Sequence, residues 1–204
     1  MITLINYGSG NIHAIANIYK RSNVPYIITN DSKELVNAKK LILPGVGDFD
    51  ETMQLIRGLG IKNLLDELVL EKKIPIMGVC VGMQVLGKSS EEGNSEGFGW
   101  IDGIVKKIDD TKLERKPHLP HMGWNTVNPV RDSRLFDNID LKKGFYFLHS
   151  YYFECVNSND VLAETHYGQS YASAINHQNI YGFQFHPEKS HQNGMELFKN
   201  FKNL

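Results

Sequence analysis

A cysteine, a histidine and a glutamate can together cleave an amide, and Cys80, His186 and Glu188 of this chain stand in settings suited to that chemistry. Cys80 lies in Gly78-Val-Cys-Val-Gly82, directly after the apolar run Ile74 to Val79. Small residues two positions either side of a nucleophile are what a sharp strand-to-helix turn requires. There the backbone folds tightly beneath a side chain left free above the sheet. The helix start expected after Cys80 favours a thiolate, and the N–H groups that follow point where an oxyanion would form. A free cysteine is more often an inert small hydrophobe. Flanking glycines at the C-terminal end of a strand, where α/β sheets bind ligands, turn the balance toward a nucleophile. Cys155 has no such setting and is expected to be structural.

A thiolate needs a base, and later an acid for the leaving group. Among eight histidines, His186 ends the apolar run Tyr181-Gly-Phe-Gln-Phe185 and precedes Pro187-Glu188. The proline directs the chain as it leaves the strand. Glu188 can then reach back to one imidazole nitrogen and leave the other for the thiol. His118 and His121 make a poor metal pair, because no cysteine or further histidine joins them at ligand spacing.

The elements that must position these groups alternate from the start. Ile2 to Ile5, Tyr26 to Ile28, Leu41 to Leu43 and Ile74 to Val79 read as strands. Between them, Ile12, Ile15, Ala16 and Tyr19 share one helical face, Asp31 to Glu34 resembles a helix start, and Ile61, Leu64, Leu65 and Leu68 repeat the helical spacing. This rhythm predicts an α/β fold with a parallel sheet between helices. Beyond Trp100 come strand-like runs at Ile101 to Ile108, Phe145 to Phe153, Val161 to Thr165 and Ile180 to Phe185, then a short helix over Met195 to Phe201. The expectation is a mostly parallel sheet with an antiparallel C-terminal part, in a single domain spanning 1–204. Residues 109–118 are the most polar stretch and read as a surface loop.

Composition narrows the function. With 41% hydrophobic and 22% charged residues and a formal net charge of −1, nothing favours nucleic acid or an anionic membrane as partner. Two distant cysteines make no disulfide framework, and no apolar run is long enough to cross a bilayer, so a cytoplasmic protein is expected. Asn6-Tyr-Gly-Ser-Gly-Asn11 approaches a dinucleotide fingerprint, but His13 stands where the third glycine belongs, so NAD is rejected.

Pro44-Gly-Val-Gly47, Gly78-Val-Cys-Val-Gly-Met-Gln84 and His186-Pro-Glu188, in this order, closely resemble the class I (triad) glutamine amidotransferases, a flavodoxin-like fold. Within them the chain is similar to the glutaminase subunits of imidazole glycerol phosphate synthase. The further motifs are Asn6 to Asn11, Ser89-Ser-Glu-Glu-Gly93, Pro120-His-Met-Gly-Trp-Asn125, Phe147-Leu-His-Ser-Tyr151 and His186-Pro-Glu-Lys-Ser190. The resemblance covers essentially the whole chain. It implies Cys80 as nucleophile, His186 as base and acid, and Glu188 as the orienting carboxylate. It implies glutamine as substrate, held by Gln84 and the backbone of Leu148, His149, Ser150 and Tyr151, with Gly45, Val46, Gly47 and the Val81 N–H forming the oxyanion hole. Asn11, Trp124, Tyr146 and Lys189 would face a (βα)8-barrel cyclase subunit that receives ammonia and makes imidazole glycerol phosphate and AICAR in histidine biosynthesis. No cofactor or metal is implied.

Three other readings compete. Val79 to Gly87 and Phe145 to Phe153 also resemble a paralogous branch that supplies ammonia to a sugar-modifying amidotransferase in surface-polysaccharide biosynthesis. A stand-alone γ-glutamyl hydrolase would need no partner. A non-catalytic module would have no reason to keep all three residues.

Overall fold

In the computed structural model, which describes residues 1–113 and 119–204, the apolar runs of the N-terminal half become a parallel sheet. Its strands are β1 (Ile2–Ile5), β2 (Tyr26–Thr29), β3 (Leu41–Leu43) and β4 (Ile76–Val79). β1, β3 and β4 are buried along their whole length, as strands covered on both faces must be, while β2 lies at the edge. The remaining strands are β5 (Gly103–Lys107), β6 (His121–Asn125), β7 (Asn128–Pro129), β8 (Phe145–His149), β9 (Tyr151–Cys155), β10 (Val161–Tyr167), β11 (Gln169–His177) and β12 (Ile180–Phe183). The main sheet runs β2-β1-β3-β4-β12-β11-β10-β7, parallel as far as β12 and antiparallel beyond it, with β9 joining β11 to β5. β6 and β8 form a separate antiparallel ribbon.

Helices cover the sheet. α1 (Ile12–Arg21) buries the predicted face of Ile12, Ile15, Ala16 and Tyr19. α2 (Ser32–Leu35) starts where expected, with the Asp31 side chain accepting from the Lys33 N–H. α3 (Phe49–Gly58) has no counterpart among the expected elements, although Asp48 and Glu51 have the capping-box spacing and Phe49, Met53 and Ile56 are buried. α4 (Lys62–Asp66) continues into a π-helical turn, Glu67–Glu71. α5 (Val81–Gln84) is one turn, and α6 (His191–Asn203) is longer than predicted. Tyr19 joins α1 to α6: its ring packs edge-on against Phe198 and its hydroxyl donates to the Phe198 carbonyl.

Two strand readings are corrected. The run Phe145 to Phe153 is two strands broken at Ser150, β8 in the ribbon and β9 in the main sheet. β11, the longest strand, was not among the predicted runs. Its Tyr171 to Ile175 segment is rich in Ala and Ser, poor strand formers alone, and is held by pairing with β9, β10 and β12. Of the predicted polar loop 109–118, Asp110–Lys112 form a single 3-10 turn, while 114–118, with His118, lie outside the described residues. Among the described residues no helix is long and apolar enough to cross a membrane.

Candidate active site

The parallel pairing of β4 with β12, Val79 opposite Phe183, brings the ends of both strands to one edge of the sheet. Cys80 follows β4 at once, and its N–H donates to the Phe183 carbonyl at 2.7 Å. Its backbone, φ 55 and ψ −115, is a conformation that costs a non-glycine residue about 1–3 kcal/mol and persists only where the surroundings impose it. The flanking glycines explain how. A Cβ on Gly78 would run into the Gly82 carbonyl, and one on Gly82 would meet the carbonyl of Leu43 at the end of β3. The strand-to-helix turn therefore closes only where both side chains are absent. Because α5 is a single turn, a long helix dipole does not act on the sulfur. What the sulfur meets is Gln184 Nε2 at 3.8 Å and the Leu148 carbonyl at 4.0 Å.

His186 follows β12 and a short 3-10 turn, Pro187–Lys189, carries Glu188 back toward it. His186 Nδ1 is 2.8 Å from Glu188 Oε1, both side chains being buried. The other ring nitrogen is left for Cys80, and both residues line the same cavity. Burial alone would depress the His186 pKa, but the neighbouring Cys80 and the bond to Glu188 outweigh it and push the value up to about 10. Burial likewise opposes ionisation of Glu188, yet the bonds from His186 and Asn11 hold its carboxyl below the usual glutamate range. Ser190 locks the turn by donating to the His186 carbonyl at 2.7 Å and accepting from the Tyr146 N–H at 3.0 Å.

Above Cys80 lies a cavity of about 170 Å³, below the roughly 300–1,000 Å³ typical of drug-sized ligands. Every expected substrate-facing residue lines it except Gly45. Gly45 is instead packed so closely on the Gly82 and Val81 backbone that a Cβ there would collide with the Gly82 nitrogen. The loop it begins is held from below: Tyr7 donates to the Pro44 carbonyl at 2.6 Å and Ser9 to the Val46 carbonyl at 2.7 Å. Gln84 commits its amide N–H groups to the Tyr151 carbonyl at 3.0 Å and to Gln184 Oε1 at 3.1 Å. That leaves its oxygen as the acceptor for a ligand's N–H.

Residues 3–204 match the family model described as glutamine amidotransferase class-I. The chain belongs to the class-I glutamine amidotransferases. Among relatives of this amidotransferase, the imidazole glycerol phosphate synthase subunit HisH of Leptospira interrogans is 48% identical over the full length of both chains. HisH of Leptospira borgpetersenii is 47% identical and HisH 2 of Pseudomonas aeruginosa 45% identical, again over the full length of both. Solved structures agree on the fold. A glutamine amidotransferase superposes with a TM-score of 0.74 at 17% identity, covering 99% of this chain and 97% of that one. A glutamine amidotransferase of Thermotoga maritima gives 0.64 at 17% identity, covering 99% and 82%.

The four residues expected to face a partner lie around His186 and Glu188. Trp124 and Tyr146 are opposite each other across the β6–β8 ribbon. Trp124 is 47% exposed and stacks on His191, while the Lys189 ammonium sits 5.5 Å from the Tyr146 ring centre. Asn11 is turned inward to Glu188. Sequence reasoning passed over two cavity neighbours. Glu92 lines the cavity and accepts the Phe49 N–H at the start of α3; it stands in Ser89 to Gly93, a segment quoted only as a motif. Burial raises its pKa, and the bond from Phe49 opposes that. Gln184, fully buried between Gln84 and Cys80, carried no signal beyond its place in an apolar strand. Cys155 lies away from the cavity, and His121, weighed above as a metal ligand, binds Tyr171 and Asn125.

Proposed function

We propose that this chain, acting as one cytoplasmic glutaminase domain, releases ammonia from glutamine through a Cys80 thioester. The observation that carries the reading is the junction of a strained, glycine-flanked Cys80 with a His186–Glu188 pair at a cavity of amino-acid scale. Cys80 thiolate attacks the carboxamide carbon, with the protonated His186 ring as its counter-ion. The Val81 N–H and the Val46–Gly47 loop stabilise the oxyanion, each well-placed donor contributing about 3 kcal/mol. As the tetrahedral intermediate collapses, the C–N bond breaks and His186 gives its proton to the departing nitrogen, which leaves as ammonia. His186 then takes a proton from water, whose oxygen attacks the thioester, and glutamate departs as the sulfur is released. Glu188 orients the imidazole throughout. Glu92 offers a carboxylate, and Gln84 an oxygen, to the ammonium of the substrate.

The ammonia acceptor, on this reading, sits on a second chain. The near-half identity to HisH subunits supports a (βα)8-barrel cyclase that makes imidazole glycerol phosphate and AICAR, docked on the patch of Asn11, Trp124, Tyr146 and Lys189. The second reading, supply of ammonia to a sugar-modifying amidotransferase, rests on the likeness of Val79 to Gly87 and Phe145 to Phe153 to that paralogous branch. Steady-state glutaminase assays of the purified chain, alone and with each candidate partner and its acceptor ligand, separate these. Strong acceleration by the cyclase and its nucleotide is the expected result. Full activity without any partner would instead mark a stand-alone hydrolase.

A further inference from the structure

Leading back from His149 at the cavity wall, a row of buried and half-buried polar side chains forms one continuous chain of hydrogen bonds whose directions can all be deduced. The amide of Asn125 is oriented by two bonds: its Oδ1 accepts from the Thr126 N–H at 2.8 Å and its Nδ2 donates to the His166 carbonyl at 3.0 Å. Nδ2 also lies 3.2 Å from His121 Nε2, which must therefore be an acceptor. At the far end, His149 Nδ1 is 2.7 Å from the Tyr151 carbonyl, which can only accept, so His149 carries its proton on Nδ1. Tyr171 lies between the two rings, with its hydroxyl 2.7 Å from His121 Nδ1 and 3.0 Å from His149 Nε2. A hydroxyl has one proton, and it must go to His149 Nε2. The Tyr171 oxygen then accepts from His121 Nδ1–H.

Both histidines are neutral: burial pushes His121 down to about 4 and His149 down to about 3, and burial likewise keeps the Tyr171 phenol protonated. No imidazolium is present to satisfy both sides at once, so the sequence Asn125 to His121 to Tyr171 to His149 to the Tyr151 carbonyl has one allowed direction. The same carbonyl accepts from Gln84, whose other N–H is held by Gln184. The relay thus ends on a group shared with a cavity-lining side chain, at the break between β8 and β9 where Ser150 and Tyr151 also line the cavity.

We infer that Tyr171, which does not line the cavity, is a positioning residue for glutamine: acting through His149, it fixes the orientation of the Tyr151 carbonyl and the Gln84 amide. This rests on the glutaminase reading above. Without the hydroxyl, His149 Nε2 loses the donor that Tyr171 supplies; the proton stays on Nδ1, facing the Tyr151 carbonyl, but the ring is held from one side alone and can tilt away from it. The Tyr151 carbonyl, no longer held by His149, is then a less fixed partner for the Gln84 amide, whose oxygen faces the ligand. The chemistry at Cys80 is untouched, so binding should suffer more than turnover.

Tyr171→Phe keeps the ring and removes the hydroxyl. In the full chain assayed with its synthase partner, KM for glutamine should rise about tenfold, the effect of one lost buried hydrogen bond, while kcat stays within about twofold. A fall in kcat with KM unchanged would mean that Tyr171 only supports the fold, and would overturn the positioning role. Ring nitrogen chemical shifts of the unsubstituted chain near neutral pH give a check that needs no variant. His121 and His149 should both appear as neutral Nδ1–H tautomers, and an Nε2–H tautomer at either would overturn the relay. Failure of the unsubstituted chain to hydrolyse glutamine with any partner would sink the glutaminase reading and the positioning role together, yet leave the tautomer pattern standing.

Discussion

Asn11 donates a 2.8 Å hydrogen bond to Glu188, on the same carboxylate oxygen that His186 Nδ1 reaches. Asn11 occupies the N-cap of α1, where asparagine ordinarily turns its side chain onto the helix, yet it makes no capping bond and spends its amide on Glu188 instead. The other Glu188 oxygen is buried with no hydrogen-bond partner among the described residues. The first turn of α1 is thereby tied directly to the carboxylate that orients the imidazole, from a residue expected to face a partner.

Asn11→Ala should therefore act on chemistry more than on folding. It leaves Glu188 with one donor, so burial, which already opposes ionisation, raises its pKa. The acid limb of the pH–rate profile should move upward and kcat/KM fall about tenfold. An unchanged profile would remove Asn11 from the triad's support.

Cys80→Ser or Cys80→Ala should abolish glutamine hydrolysis while leaving the fold intact. A glutamine-analogue electrophile should modify Cys80 and spare Cys155, whose thiol burial pushes up to about 12 and so keeps protonated at neutral pH. Mass spectrometry of the labelled chain decides this, and modification of Cys155 alone would sink the assignment.

His186 couples activity to stability with a definite sign. Folding raises its pKa from 6.5 to about 10, so its stabilising contribution is fully present below 6.5 and is lost as pH rises through about 10. Denaturant unfolding of the unsubstituted chain and of His186→Asn should show a stability gap that narrows across that interval. Turnover of His186→Asn should fall at least a thousandfold. Glu188→Gln should lose less, because the amide oxygen can still accept from Nδ1. Equal losses would give the carboxylate a more direct role.

The Val46 loop is expected to limit hydrolysis until a partner docks. Glycines at 45 and 47 let the intervening peptides rotate cheaply, and Gly47 already has φ 101, while the Ser9 bond to the Val46 carbonyl holds the present arrangement. Ser9→Ala should raise partner-independent hydrolysis about threefold, since an exposed hydrogen bond contributes about 0.5–1 kcal/mol. Initial rates of the isolated variant test this. A rate equal to or below that of the unsubstituted chain would show that Ser9 is no latch.

The settings of Cys80 and of His186-Pro-Glu188, the glycines beside Cys80 and the parallel half of the sheet were legible because each is written locally. Buried parallel strands are unbroken apolar runs, and the tight strand-to-helix turn at Cys80 needs glycine on both sides. What tertiary structure decided lies where distant segments meet. β11 is a strand because three neighbours pair with it, not because Ala and Ser prefer that state. The break at Ser150, the inward turn of Asn11, and the placing of Gln184 and Glu92 beside the cavity depend on contacts between residues far apart in the chain. The His121–Tyr171–His149 relay is the clearest instance. Its tautomers follow from a count of donors and acceptors, and that count exists only once folding has excluded the water that would otherwise satisfy each group separately.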